Sequence, residues 1–396
     1  MFKIGLFDSF KKSSLIKKGI TFENQGKYQE ALYCYDKIIS EIDANYAKAW
    51  YNKGVIFGKL GRSQDALKCY EKAIKLDPEY FKAWYNKGNI LQELDKYEDA
   101  IGCYDKVMEL NPEFLGAWTN KGNALYNIGR YGDAIECYDK VIELDSEFLR
   151  AWYNKGNAFR ELGNYVKAID CFNRALELNP VYADALFNKA IVFELFGKYE
   201  KAIECFNKTL DLEPSNAKVW FAKGFVLMQH EEYQEALECF DKALELDPNH
   251  FDALFNKGDV LKYLERYDEA IECFDKSLEI DLNDSKVWYN KGVVFTLLEQ
   301  YREALKNYNK ALELDPKYAE VWYNKGVVLK RLEQYQEALK SYDKALEIDP
   351  KLVSALHNKG VIFIQLEQYQ EALKCYNNAL EIDLMMWKYG ITKARH

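Results

Sequence analysis

Every proline in this chain keeps one spacing. Pro78, Pro112, Pro180, Pro214, Pro248, Pro316 and Pro350 stand 34 or 68 residues apart, and so do Trp50, Trp84, Trp118, Trp152, Trp220, Trp288 and Trp322. The heptapeptide AWYNKGN occurs at 83–89 and again at 151–157. A chain of 396 residues would otherwise suggest two or three globular domains. A strict period overrides that expectation, because units that each leave one apolar side exposed are completed by stacking on their neighbours.

Each unit reads as two helices. At 3.6 residues per turn Trp84, Gly88 and Leu91 share one face of the first helix, while Tyr85, Asn86 and Asn89 fall on the other. The second is marked in YEDAIGCYDKVMEL by Ala100, Tyr104 and Val107. Gly129, Gly163 and Gly197 stand where a left-handed helix end is expected, and from Glu231 onward that place holds Glu. An Ala recurs at the centre of the second helix in every unit, from Ala31 to Ala372, as close helix approach requires.

In the second unit the recurring set is Trp50, Gly54, Ala66, Tyr70, Ala73 and Pro78. This pattern resembles the tetratricopeptide repeat. The resemblance implies an all-α, right-handed superhelical solenoid of helix-turn-helix repeats. Eleven units start at Lys12 (one residue longer than the rest), Ala47, Phe81, Leu115, Leu149, Ala183, Ala217, Phe251, Ser285, Ala319 and Val353. Residues 12–386 are therefore expected to form the array. Residues 1–11, with Phe2, Leu6 and Phe10, are expected to cap one end, with membrane association or insertion into a neighbouring chain as alternatives. Residues 387–396 are expected to cap the other end, with Trp387 packed on the last unit.

Net charge is −9, which argues against a nucleic-acid partner. No apolar run is long enough for a membrane span and no cleavable signal is evident, so a cytoplasmic protein is expected. The nine cysteines recur with the period; from Cys69 to Cys273 the interval is always 34. Equivalent positions in stacked helical pairs are at least about 10 Å apart, beyond the roughly 7 Å that a disulfide spans. With no CxxC pair for a metal, half-buried thiols in a reducing compartment are expected. The four histidines are scattered, and no hydrolase, phosphate-loop or dinucleotide motif appears. No catalytic role, cofactor or metal is expected.

Function is sought in what recurs. Asn52, Asn86, Asn120, Asn154, Asn188, Asn256, Asn290, Asn324 and Asn358 form a ladder on the first helices, broken by Ala222. Asn89, Asn123 and Asn157 double it in units three to five, and Tyr85, Tyr153, Tyr289 and Tyr323 stand beside it. An amide offers donors and an acceptor, so such a ladder suits a peptide backbone whatever its side chains. The alternative is that these residues only solubilise the helices. The resemblance implies a concave groove of the peptide-binding kind. The carboxylate clamp of the family's chaperone-tail adaptors is not expected, because Tyr85, Tyr153 and Phe187 stand where its first Lys would be and its Arg is lacking.

Toward the C-terminus Val293, Val327 and Val361, with Leu297 and Ile364, make the groove more apolar. A Lys three residues after the Trp position recurs in every unit, and its stem is expected to pack on apolar neighbours while its ammonium reaches an acid of the second helix or the next unit. The function expected is a non-catalytic scaffold binding an extended peptide or protein partner. The alternatives are a self-associating array, hence a homo-oligomer, and a regulatory subunit of a separately encoded enzyme.

Overall fold

The computed structural model describes the backbone of residues 2–388 and the side chains of residues 10–384. The described residues form 22 α-helices and no strand. They pair as A and B helices: Ala47–Lys59 with Ser63–Leu76, Phe81–Glu93 with Tyr97–Leu110, and so on at the same spacing to Val353–Gln365 with Tyr369–Lys388. The chain divides into two compact units, Met1–Lys198 and Tyr199–His396. The division falls inside the sixth repeat, between its A helix Ala183–Leu195 and its B helix Tyr199–Leu212. Within each unit every helix packs on its neighbours in sequence, and successive A helices touch.

The extra residue of the first repeat is absorbed in its B helix. Tyr28–Lys37 is α-helical and continues as a wider π turn, Ile38–Ile42, closed by Asp43 N–H donating to Ile38 O at 2.8 Å. One inserted residue is accommodated by a single wide turn without shifting the buried face. Upstream, the A helix runs unbroken from Phe2 to Asn24 across the expected boundary at residue 12. Phe10 is 75 % exposed there. The side chains of Phe2, Leu6 and Trp387 lie outside the described residues, as does the whole of 389–396.

The close approach of A and B helices explains the small residue four after the tryptophan position. A Cβ placed on Gly88 would lie 2.7 Å from Tyr104 Cε1, and one on Gly156 would lie 2.7 Å from Phe172 Cε1. The A helix therefore rests directly on the aromatic ring of its partner. The central Ala of the B helices is buried in every repeat, from 0 % exposure at Ala31 to 3 % at Ala372. The nine cysteines are buried, not half-buried as expected. Burial pushes the thiols of Cys69, Cys103, Cys137, Cys171 and Cys239 up to about 11.

Each tryptophan from Trp50 to Trp322 donates to the carbonyl six residues before it, a place that proline occupies in four of the seven cases. Trp84 Nε1 donates to Pro78 O at 3.0 Å, and Trp118, Trp220 and Trp322 donate likewise to Pro112, Pro214 and Pro316. The indole thus satisfies a carbonyl at the junction entering its own A helix, where the backbone has no helical partner. The turn inside each repeat is left-handed throughout. Gly61, Gly129, Gly163 and Gly197 take it with φ between 69° and 78°, while Asp95, Glu231, Glu265, Glu299, Glu333 and Glu367 adopt φ of 57–61° despite their side chains.

Seven lysines of the row are held by acids on the B helix of the preceding repeat, while for Lys189 and Lys223 the acid's place holds Asn173 and Asn207. Lys87 meets Glu71 at 3.1 Å, Lys121 meets Asp105 at 2.6 Å, Lys257 meets Asp241 at 2.5 Å, and Lys155 pairs with Asp139. The Lys87 and Lys155 side chains are 20 % and 16 % exposed. Lys325 departs from the expectation. Asn309 occupies the acid's place, no described acid pairs with Lys325, and its ammonium sits 5.0 Å from the centre of the Trp322 ring. Burial lowers its pKa.

Candidate functional site: the face of the A helices

The asparagine ladder is real in space, but most of its amides are already bonded. Asn86 Nδ2 donates to Tyr51 OH (3.1 Å), Asn120 to Tyr85 OH (3.1 Å), Asn188 to Tyr153 OH (3.0 Å), Asn324 to Tyr289 OH (3.0 Å) and Asn358 to Tyr323 OH (3.2 Å). The partner is always 35 residues earlier, on the A helix of the preceding repeat. Where that place holds Phe221 or Phe255, no hydroxyl is offered. Asn256 and Asn290 then turn back onto their own helices, donating to Asp252 O (2.7 Å) and Lys286 O (3.1 Å). Asn154 follows Thr119 and donates instead to Asn123 Oδ1 at 2.9 Å. Asn52 follows the first repeat, which has no tyrosine there, and its Nδ2 is buried with no partner among the described residues.

The second ladder is bonded from two sides. Asn89 Oδ1 accepts from Tyr104 OH on its own B helix (3.0 Å) and from Asn120 Nδ2 (2.9 Å). Asn123 Oδ1 accepts from Tyr138 OH (2.9 Å) and from Asn154 Nδ2. Asn157 breaks the pattern. Its B-helix partner is Phe172, the next ladder residue Asn188 donates to Tyr153 OH and Asp184 O, and Asn157 Oδ1 is buried with no partner among the described residues.

The tyrosines are half-buried, as most of the amides beside them are. A hydroxyl that accepts from an asparagine keeps its own proton to give. Burial raises the pKa of Tyr51, Tyr289 and Tyr323, so they remain neutral donors. Their rings are fixed edge-on or tilted: Tyr85 on Phe114 at 4.9 Å, Tyr153 on Tyr182 at 5.2 Å, Tyr289 on Tyr318 at 5.2 Å and Tyr323 on Tyr342 at 6.0 Å. In the unit 1–198 this face opens into a polar cavity of about 450 Å³ around Asn123, Tyr153, Asn154, Asn157, Arg160 and Asn188. Arg160 was not expected from the sequence. It donates through Nε and Nη2 to Glu161 (2.6 Å at the shorter contact) and through Nη1 to Asn188 Oδ1.

In the unit 199–396 the same face is less polar. Leu297 and Ile364 are 50 % and 46 % exposed, and Tyr342 OH is buried without a described partner, since Val327 stands where Asn89 and Asn123 stand elsewhere. Among the described residues no helix is long and apolar enough to cross a membrane, and no cluster of side chains has the makings of a metal site.

The tetratricopeptide repeat model matches residues 47–80, 81–114, 116–148, 149–182, 183–216, 251–284, 285–318, 319–352 and 353–383, and a second model of the same repeat matches 217–250. The chain belongs to the tetratricopeptide repeat family. The helical pair of the first repeat lies upstream of the matched residues. Among solved structures the chain is similar to YrrB, described as a TPR protein with an unusual peptide-binding site, at 30 % identity over 48 % of this chain and 98 % of that one, with a TM-score of 0.43. It is also similar to MamA 41-end from Desulfovibrio magneticus RS-1 (25 % identity, 43 % and 96 % covered, TM-score 0.42). The yeast Tom70 structure aligns at 17 % identity over 94 % of this chain and 92 % of that one, with a TM-score of 0.43. No functionally curated protein matches the chain.

Proposed function

We propose that this repeat protein is a non-catalytic scaffold that holds an extended peptide, or an extended segment of a protein partner, along the face of its A helices. The observation that carries this reading is the set of tyrosine hydroxyls at one A-helix position in five repeats (Tyr51, Tyr85, Tyr153, Tyr289 and Tyr323), with an amide-lined cavity of about 450 Å³ on the same face in residues 1–198. Hydroxyl protons presented from stacked A helices suit the carbonyls of an extended chain. Each such bond contributes only about 0.5–1.5 kcal/mol net, so affinity accumulates over repeats. The buried thiols accord with a reducing compartment such as the cytoplasm.

Photo-crosslinking tests the placement. A photoreactive residue at Gln92 or Asn127, both lining the face, is expected to capture a partner from host lysate. One at the exposed Lys140 on a B helix is expected to capture none. Capture from Lys140 alone would refute the groove.

A second reading, self-association, rests on the last B helix. Tyr369, Leu373, Leu380 and Leu384 are 55–64 % exposed, whereas Leu339 at the place of Leu373 one repeat earlier is 8 % exposed. Light scattering on the full chain and on a Leu373→Lys, Leu380→Lys variant decides it: a monomer in both cases excludes this role.

A further inference from the structure

The eleven repeats are an internal experiment on what each side chain is for. In repeats three and four an A-helix asparagine is matched by a B-helix tyrosine, Asn89 with Tyr104 and Asn123 with Tyr138. Repeats nine to eleven drop the asparagine for Val293, Val327 and Val361 and keep a tyrosine at Tyr308, Tyr342 and Tyr376. Repeat five does the reverse: it keeps Asn157 but has Phe172. The other usual donor is also withdrawn, because Asn188 Nδ2 is taken by Tyr153 OH and Asp184 O. Structural partnership therefore does not account for Asn157. A buried acceptor without a donor is costly, so its retention calls for another partner.

Asn157 lines the polar cavity, and rotation about its last torsion, which is broad for an amide, brings that acceptor to the cavity wall. We infer that the cavity around Asn157 is a subsite for a carboxamide side chain, glutamine or asparagine, of the bound peptide; this rests on the groove reading above. The charges nearby cancel, since Arg160 is bonded to Glu161, so neither an acidic nor a basic side chain is favoured. What the cavity lacks is an N–H aimed at Asn157 Oδ1. What it offers are N–H groups of Arg160, which has five and uses three, and the hydroxyl proton of Tyr153. A primary amide is the side chain that donates and accepts at one end without charge. Repeats three and four apply the same complementarity internally, each asparagine meeting a donor.

The substitution that tests this gives Asn157 an internal donor. Phe172→Tyr supplies the hydroxyl that Tyr104 and Tyr138 supply in their repeats, under a glycine placed alike (a Cβ on Gly156 or Gly122 would meet the ring at 2.7 or 2.6 Å). The full-length chain is titrated by fluorescence polarisation with short, end-blocked serine peptides carrying a central Gln, Glu, Lys or Leu. The wild type is expected to prefer the Gln peptide by about two- to tenfold, the worth of one net hydrogen bond. Phe172→Tyr and Asn157→Leu are each expected to abolish that preference while circular dichroism stays unchanged and the other three peptides bind as before. Equal binding of all four peptides by the wild type, or a Gln preference that survives Phe172→Tyr, overturns the subsite and leaves the groove standing. If no peptide binds at all, the groove reading falls and the subsite with it.

Discussion

Replacing Asn120 with leucine separates a structural ladder from one that only meets ligand. Asn120 spends both amide protons across the repeat boundary, on Tyr85 OH at 3.1 Å and Asn89 Oδ1 at 2.9 Å. Two net hydrogen bonds at about 0.5–1.5 kcal/mol each give an expected loss of about 1–3 kcal/mol. The loss falls on one nearest-neighbour interface of the array, so it need not appear as a shift of a single global transition. Native-state hydrogen exchange over residues 81–127 is the suitable assay. Amides there should open about 5- to 150-fold more readily, the same free energy expressed as an equilibrium constant. A double-mutant cycle with Tyr85→Phe isolates one bond and should return a coupling of about 0.5–1.5 kcal/mol. Zero coupling, with unchanged exchange, would refute the claim that these amides join repeats. It would return Asn86, Asn120 and Asn154 to the role of free ligand contacts.

Three further outcomes follow from the same geometry. Glu333→Gly should raise stability by up to about 1–2 kcal/mol, because Glu333 holds φ of 58° where glycine carries no Cβ penalty; an unchanged urea midpoint would contradict this. Asn309→Asp should give Lys325 the acid that seven of its counterparts have and stabilise by about 0–1 kcal/mol. Since burial holds the folded Lys325 pKa below its ordinary 10.5, the unfolded chain binds more protons in the window between the two values. Wild-type stability therefore gains from this residue as pH rises through that window, and Asn309→Asp should flatten the gain in pH-dependent melts. Finally, the nine buried thiols, eight of which burial holds neutral at pH 8 by raising their pKa, should react with a disulfide reagent only after denaturant is added. Rapid labelling of the folded chain would place them at the surface.

The repeat length, the helical pairs, the central alanines and the small residue under each A helix were legible in the sequence, because they depend on local periodicity and residue size. So was the row of asparagines. Their use was not. Whether an amide donates to Tyr51, folds back as Asn256 does, or is left unbonded as in Asn157 depends on residues 35 positions earlier or on the facing B helix, and only stacking brings those together. The signal lay in the joint variation of two positions between repeats, tyrosine with asparagine, which reading one helix at a time conceals. The tertiary structure likewise assigned seven of the lysines their acids on the preceding B helix, left Lys325 without one, and joined each Trp from Trp50 to Trp322 to the carbonyl six residues before it. Sequence alone determined which faces are apolar and how often they recur, because burial follows the pitch of the helix. Hydrogen-bond pairing depends on distance and direction between separate helices, and these exist only once the helices have packed.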